Sequence, residues 1–192
     1  MAKFSVLEKT AELLSGLACD WFFCGGWGLD LFVGRVTRSH KDVDIAVARR
    51  DQLSVQAYLA EKEWRLEVAH DGKLRPWREG HRLELPIHTI WCSNADEDPA
   101  FLEVLLNEID HQEFRFRRDE AISMPVSRMA FSTPSGLRVL APEIILLYKS
   151  NKVPEYDIDL QNTLDSLSTD AREWLRTALE HLFVEHPWLT RL

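Results

Sequence analysis

An α/β (α+β) domain followed by a C-terminal helical lobe is the fold class this sequence predicts. Three observations predict it. Apolar residues at helical spacing open the chain, strand signals dominate from Trp64 to about Val139, and the period turns helical again after "LAPE" at 140–143. That last change divides the chain into residues 1–141 and a helical lobe over 142–192.

The elements follow in order. Phe4, Leu7, Ala11, Leu14 and Ala18 recur at helical spacing, so residues 3–18 read as an amphipathic first helix. "WFFC" reads as a short buried strand and "GG" at 25 and 26 as a turn. Residues 27–33 then read as a helix turning Leu29, Phe32 and Val33 inward. "DVDIAVA" is a strand backed by the helix "RDQLSVQAYLAEKE". The next strand signals are "WRLEVAH", "HRLELPIHTIW", "FLEVLLNEI" and "EFRFRR", with breaks at Gly72, Gly80, Pro99 and Gly136. Pro142 suits a first helical position and Glu143 a first turn, where its charge favours the helix dipole. Pro154 breaks the chain before two more helices, over 156–166 and 169–184. There is no internal repeat and no low-complexity tract.

At 192 residues the chain is long enough to bury a proper core, and 45% hydrophobic with 28% charged residues is globular composition. A net charge of −8 argues against a general nucleic-acid binder, which carries a basic patch, and fits a small cationic partner better. Cys19, Cys24 and Cys92 lack CxxC spacing, and His70, His81, His88 and His111 lack metal-ligand spacing. With no signal-peptide h-region and no run long enough to span a bilayer, a reducing cytoplasm is the expected location and no membrane is expected as a partner.

Chemistry concentrates between residues 23 and 50. In a strand Val43, Ile45 and Val47 point one way while Asp42, Asp44, Ala46 and Ala48 point the other. Asp42 and Asp44 therefore share a face, with Cα atoms roughly 7 Å apart. Two such carboxylates can bind a pair of Mg²⁺ ions, and without a cation they repel each other. A bare D-x-D can equally be two exposed acids at a strand start. The Gly25-Gly26 pair can be an ordinary tight turn, or it can let backbone N–H groups approach a phosphate at a helix N-terminus. Arg35, Arg38, His40 and Lys41 crowd the loop before the acids, which suits a site holding a polyphosphate and its metal together.

"GGWGLDLFVGRVTRSHKDVDIAV" resembles the signature of the polymerase β-type nucleotidyltransferases, and more narrowly the branch that includes the aminoglycoside and lincosamide nucleotidyltransferases. The pattern there runs G-G-W-x-x-D, G-R, T-R-x-H, then D-x-D. "FLEVLLNE", "LAPEIILLYK" and the terminal "HPWL" extend the similarity over most of the chain. The resemblance implies a polymerase β-like mixed sheet flanked by helices. It implies a triphosphate cradled by Gly25 and Gly26, and Mg²⁺, two ions, bound by Asp42, Asp44 and a third carboxylate. Glu103, the one charge inside the apolar stretch of "FLEVLLNEI", is the choice for that third acid, because burying a mid-strand acid is costly unless a cation compensates it. Glu108 and Glu84 are its rivals, and Glu103 can also cap a solvent-facing edge.

Arg38 and His40 carry over as nucleotide-side residues, and Lys149 as a phosphate contact, although a lysine in a last helical turn also complements the dipole. Asp30 either holds its turn or touches ligand. Asp157 and Asp159 form a second D-x-D, which reads as two structural acids facing different directions in a helix's first turn. Glu155-Tyr156 stands where relatives carry Lys-Asp, which leaves the acceptor side open. Trp64, Trp77 and Trp91 either line an acceptor cleft or belong to core and rim. The implied reaction is Mg-dependent transfer of AMP from ATP to a hydroxyl of a small, cationic molecule such as an aminoglycoside- or lincosamide-like antibiotic. A protein or RNA acceptor, or a silent nucleotide-binding module, are the alternatives. The intact acid pair speaks against the last, and the acidic charge against RNA.

Overall fold

The computed structural model describes residues 4–192. Helix α1 (Ser5–Leu13) leads to strand β1 (Trp21–Phe23), helix α2 (Gly25–Val33) and strand β2 (Val43–Ala48). A 3-10 turn over Arg49–Asp51 feeds α3 (Gln52–Glu61). Then come β3 (Arg65–His70), β4 (Lys73–Pro76), β5 (Thr89–Ser93) and β6 (Phe101–Ile109). Four short strands follow: β7 (Glu113–Arg115), β8 (Ser123–Pro125), β9 (Ala130–Ser132) and β10 (Arg138–Leu140). The chain closes with α4 (Pro142–Lys149), α5 (Val153–Thr163) and α6 (Thr169–Leu182).

The strands form one mixed sheet in the order β4-β3-β5-β6-β2-β1-β10-β9, with β7 on the far end of β6 and β8 on β7. The β2–β6 and β1–β10 pairs are parallel and the rest antiparallel. This is the mixed sheet flanked by helices that the resemblance implies. Strand alternation sorts the two faces. Val43, Ile45 and Val47 of β2 and Leu102, Val104 and Leu106 of β6 enter a core with Leu7, Leu14, Val55 and Leu59 of the α1 and α3 side. Ala46 and Leu105 look the other way, toward Leu29, Ile144, Ile145 and the α6 residues Leu175 and Leu179. Asp44 and Glu103 belong to this second face, at the end of β2 and β6 that the α4–α6 core leaves uncovered. Glu103 caps no edge, because β6 lies between β5 and β2.

Several element limits differ from the sequence reading. α1 stops at Leu13, so Leu17 rather than Ala18 is buried; residue 3, where the expected helix begins, lies outside the described residues. α2 starts at Gly25 rather than 27, because Gly25 adopts φ +60°, which turns the chain from β1 straight into the helix. Residues 81–88 are irregular up to Thr89, and β4 forms instead as a hairpin partner of β3. Pro154 lies inside the first turn of α5 rather than ahead of it. There its missing N–H costs no helical bond. Asp157 and Asp159 are consequently mid-helix and not first-turn acids. No helix among the described residues is long and apolar enough to cross a membrane.

Candidate active site

The parallel pairing of β2 with β6 sets Asp44 directly opposite Glu103. On the other side of β6 Trp91 stands opposite Glu103, and its indole Nε1–H donates to Glu103 Oε1 at 3.0 Å. Asp42 lies one residue before β2, beside both acids. The cluster is electrostatically costly. Burial, followed by the charges of Asp42 and Glu103, pushes Asp44 up to about 7, against partial relief from Lys149 and Arg38. Burial, then Asp42, likewise raises Glu103, with the Trp91 hydrogen bond opposing.

The glycines are required by close approach. A Cβ on Gly25 would lie 1.8 Å from Asp44 Oδ2, and one on Gly26 would lie 2.5 Å from both Arg38 Nη2 and His40 Nδ1. Cys24 N–H donates to the Asp44 carbonyl at 3.0 Å, tying the start of α2 to the acid strand. The α2 ladder opens with Gly28 N–H to Cys24 O, so the N–H groups of Gly25, Gly26 and Trp27 precede it, at the positive end of the helix.

The loop between α2 and β2 is held by Asp30, which is fully buried. Its carboxylate accepts from Thr37 N–H at 3.1 Å and from the Thr37 hydroxyl, and it meets His40 Nε2 at 2.6 Å. Asp30 therefore holds the turn. With the Nε2 proton directed at that carboxylate, His40 Nδ1 accepts from Arg38 Nη1 at 3.1 Å, and the imidazole packs against Trp27.

The sequence reading underrated one residue. Asp159 on α5 is buried, and it receives Arg38 Nε at 2.8 Å and Nη2 at 3.3 Å as well as Lys149 Nζ at 2.8 Å. Burial pushes this carboxyl up, but the Arg38 hydrogen bond and Lys149 outweigh it, so Asp159 titrates below its ordinary value. The ammonium of Lys149 also sits 4.0 Å from the Tyr156 ring centre. Asp157 faces elsewhere, holding Trp188 Nε1 at 3.0 Å and Arg191 Nη1 at 2.6 Å. Had α5 been read from Val153, the spacing Tyr156, Asp159/Leu160, Thr163 would have put an acid on its buried face.

The structure separates the rival carboxylates. Glu108, at the other end of β6, pairs with Arg49 Nε at 2.6 Å, and Glu84 is exposed in the 81–88 loop. Trp64 and Trp77 are core residues, which leaves Trp91 at the site. Two cavities meet at the acids, sharing Asp44, Glu103, Lys149 and Tyr156. One, of about 420 Å³, is walled by Gly26, Arg38, His40, Lys41 and Asp42. The other, of about 260 Å³, runs along the sheet face past Leu105 and Asn107 to Arg117, Arg118 and Tyr148. Among the described residues no three His, Cys, Asp or Glu side chains stand close enough together to hold an ion as they are placed. The donor chemistry nevertheless fits a hard divalent cation: all three acids offer oxygen ligands, and the raised Asp44 and Glu103 mark charge that a cation relieves.

The profile of the aminoglycoside-2''-adenylyltransferase family matches residues 6–98, the segment that carries the glycine pair, the Arg38–His40 loop and the D-x-D. Over that segment the chain is similar to an adenylyltransferase family. Solved structures share its fold at low identity. The antibiotic-resistance factor ANT(2'')-Ia in solution aligns with a TM-score of 0.62 and 19% identity, over 94% of this chain and 92% of the other. ANT(2'')-Ia in complex with adenylyl-2''-tobramycin aligns with a TM-score of 0.51 and 18% identity, over 96% and 91%. The lincosamide adenylyltransferase LnuA, lincomycin-bound, aligns with a TM-score of 0.59 and 16% identity, over 85% and 97%. No curated protein matches the sequence. Asp42, Asp44, Glu103, Arg38, His40, Lys41 and Lys149 line the two cavities, and Asp159 joins them from α5 through its pairs with Arg38 and Lys149, whereas Arg35 lines neither.

Proposed function

We propose that this protein is a nucleotidyltransferase that moves AMP from ATP to a hydroxyl of a small molecule, with Asp42, Asp44 and Glu103 as its metal-binding acids. One observation carries the reading: Asp44 faces Glu103 across a parallel strand pair, pressed against the glycine start of α2. The triphosphate lies at that helix start, with Arg38 and Lys149 as its cationic partners and His40 steadying Arg38. Asp42, Asp44 and Glu103 would hold Mg²⁺, whose charge, when bound, would offset that of the phosphates and ease deprotonation of the acceptor hydroxyl.

The acceptor oxygen forms a bond to the α-phosphorus as the bond to pyrophosphate breaks in line. The hydroxyl proton passes to a carboxylate of the cluster, and pyrophosphate leaves with the electron pair. Positioning and electrostatics do most of this work. Residues 142–192 act in the proposal as a helical lobe that brings Lys149 and Asp159 to residues 1–141. The similarity to antibiotic adenylyltransferases makes aminoglycosides and lincosamides the first acceptors to try. Incubation with labelled nucleoside triphosphates, Mg²⁺ and an acceptor panel should give adducts of AMP by mass. If neither adduct nor free AMP forms in an Asp44-dependent way, the proposal fails.

A further inference from the structure

The smaller cavity has a wall that a polycationic acceptor would not choose. Four cations, Arg117, Arg118, Lys149 and Lys152, line it, against two acids, Asp44 and Glu103. Lys149 is committed to Asp159, and the two acids to the metal site proposed above. Lys152 pairs only loosely with Glu155, at 3.7 Å on the surface. That leaves Arg117 and Arg118 as adjacent guanidiniums, neither of which reaches a carboxylate among the described residues.

Both arginines gather on Tyr148. The Arg117 guanidinium carbon stands 4.3 Å from the tyrosine ring centre, and Arg118 Nη1 donates to the Tyr148 carbonyl at 3.2 Å. Partial burial, and then the charge of Arg117, lowers the pKa of Arg118, as expected where two like charges share a site without a counterion. The Tyr148 hydroxyl is buried beside the Arg117 guanidinium and backbone but makes no hydrogen bond of good geometry to them. An anionic group placed there would answer both guanidiniums, whose planar forks match carboxylate or phosphate oxygens.

The acceptor fits the smaller cavity because that cavity meets the larger one at the acids. The proposed pyrophosphate side is the larger cavity, with Gly26, Arg38 and Lys41. The smaller cavity opens off the same two acids, Asp44 and Glu103, and extends away from Gly26, Arg38 and Lys41 along the sheet, so an oxygen held in it can reach a phosphorus bound at the acids. The family match ends at residue 98, before Arg117, Arg118, Tyr148 and Lys152, so the aminoglycoside in that family's description says nothing about this wall. The net charge of −8 favours a cationic partner only on average over the surface; the local wall has the opposite sign.

We propose that the acceptor is a hydroxylated small molecule carrying a negative charge, a carboxylate or a phosphate, which Arg117 and Arg118 hold so that its hydroxyl faces Glu103. This rests on the nucleotidyl-transfer reading above.

The test uses the full chain loaded with Mg²⁺ and a non-cleavable α,β-methylene ATP, titrated calorimetrically with four probes. Glucuronate and a hexose phosphate are the anions, glucose is the neutral parent, and tobramycin is the polycation. At least one anion should bind with roughly millimolar affinity or better and about tenfold tighter than glucose, with tobramycin the weakest. Whichever anion prevails says whether the group held is carboxylate or phosphate. Arg117→Gln combined with Arg118→Gln should weaken that anion about tenfold or more. Glucose binding as tightly as the anions, tobramycin binding more tightly, or no anion binding each overturns the inference. Release of AMP from ATP to water, in parent and Asp44→Asn, separates the two readings. If that release is Asp44-dependent while no anion is preferred, only the acceptor assignment fails; if there is no release, the transfer reading falls with it.

Discussion

The Asp159 carboxylate lies 2.8 Å from the Lys149 ammonium, one α-helix away in the chain and almost wholly buried. The same carboxylate holds Arg38, so a single acid on α5 sets both cations of the proposed nucleotide site. Asp159→Asn keeps the shape and removes the charge. It should cost about 3 kcal/mol of stability, because a buried ion pair loses one partner. It should also raise the KM for ATP about tenfold. Asp159→Glu should recover part of the KM effect but less of the stability. Unchanged KM in a folded Asn variant would show that the cations position themselves without Asp159.

Glu103 and Glu108 occupy the same strand with different partners. Glu103→Gln should lower kcat by about 10²-fold or more with little change in KM, the mark of an interaction made in the transition state. Glu108→Gln breaks the Arg49 pair, whose guanidinium also donates to the carbonyls of Leu83 and Ile87. It should reduce stability by about 1 kcal/mol and spare kcat. Steady-state kinetics showing the reverse ranking would transfer the third carboxylate to Glu108.

Asp44 gives a pH signature. Its ordinary value is 3.8 and its folded value about 7. Between those limits the folded protein binds a proton that the unfolded chain releases. Stability from this group is therefore present at low pH and is lost as pH rises through about 7. Metal-free Asp44→Asn should match the parent near pH 4 and melt above it at pH 8, by about 2–4 °C for each kcal/mol relieved. Activity should vanish. Melting curves in which the variant is several kcal/mol weaker at pH 8 would make Asp44 a structural acid.

Binding should couple to that proton. At pH 6 the folded Asp44 is mostly protonated, and holding Mg²⁺ requires the carboxylate, so loading MgATP should release protons. Titration calorimetry in two buffers of different ionisation heat counts them. Release should be greater at pH 6 than at pH 8 and smaller in Asp44→Asn, where Glu103 is the raised acid that remains.

Gly25 tests the close approach. Gly25→Ala puts a methyl 1.8 Å from Asp44 Oδ2 at φ +60°, where an L side chain is already strained. It should lose activity and cost about 1–3 kcal/mol of stability. Gly136→Ala is the control, since it too has positive φ but no atom lies within 4 Å of its added Cβ. If the two variants lose activity equally, the glycine pair is only a turn.

What could be read from residues alone was whatever depends on local order. Strand period sends Asp44 and Ala46 to one face and Val43, Ile45 and Val47 to the other, and "FLEVLLNEI" matches β6 from Phe101 to Ile109. Gly-Gly before an apolar helix and D-x-D before a strand mark the site because both are short-range patterns. Helix limits were less legible. Pro154 reads as a breaker but stands in the first turn of α5, and the N–H bonds of that turn are set by what precedes it.

Pairing between distant segments was left to the tertiary structure. Asp44 meets Glu103 because β2 and β6 pair in parallel in one register out of several that alternation allows, and a shift of two residues would put Leu105 or Phe101 there instead. Asp159 meets Arg38 across 121 positions, and Arg117 and Arg118 reach the site's wall by folding over Tyr148. A sequence determines which side chains a helix or strand can turn to one side. Which of those sides face each other, and with what charge, is decided by long-range packing, because burial of the shared apolar faces selects one arrangement among many with the same local pattern.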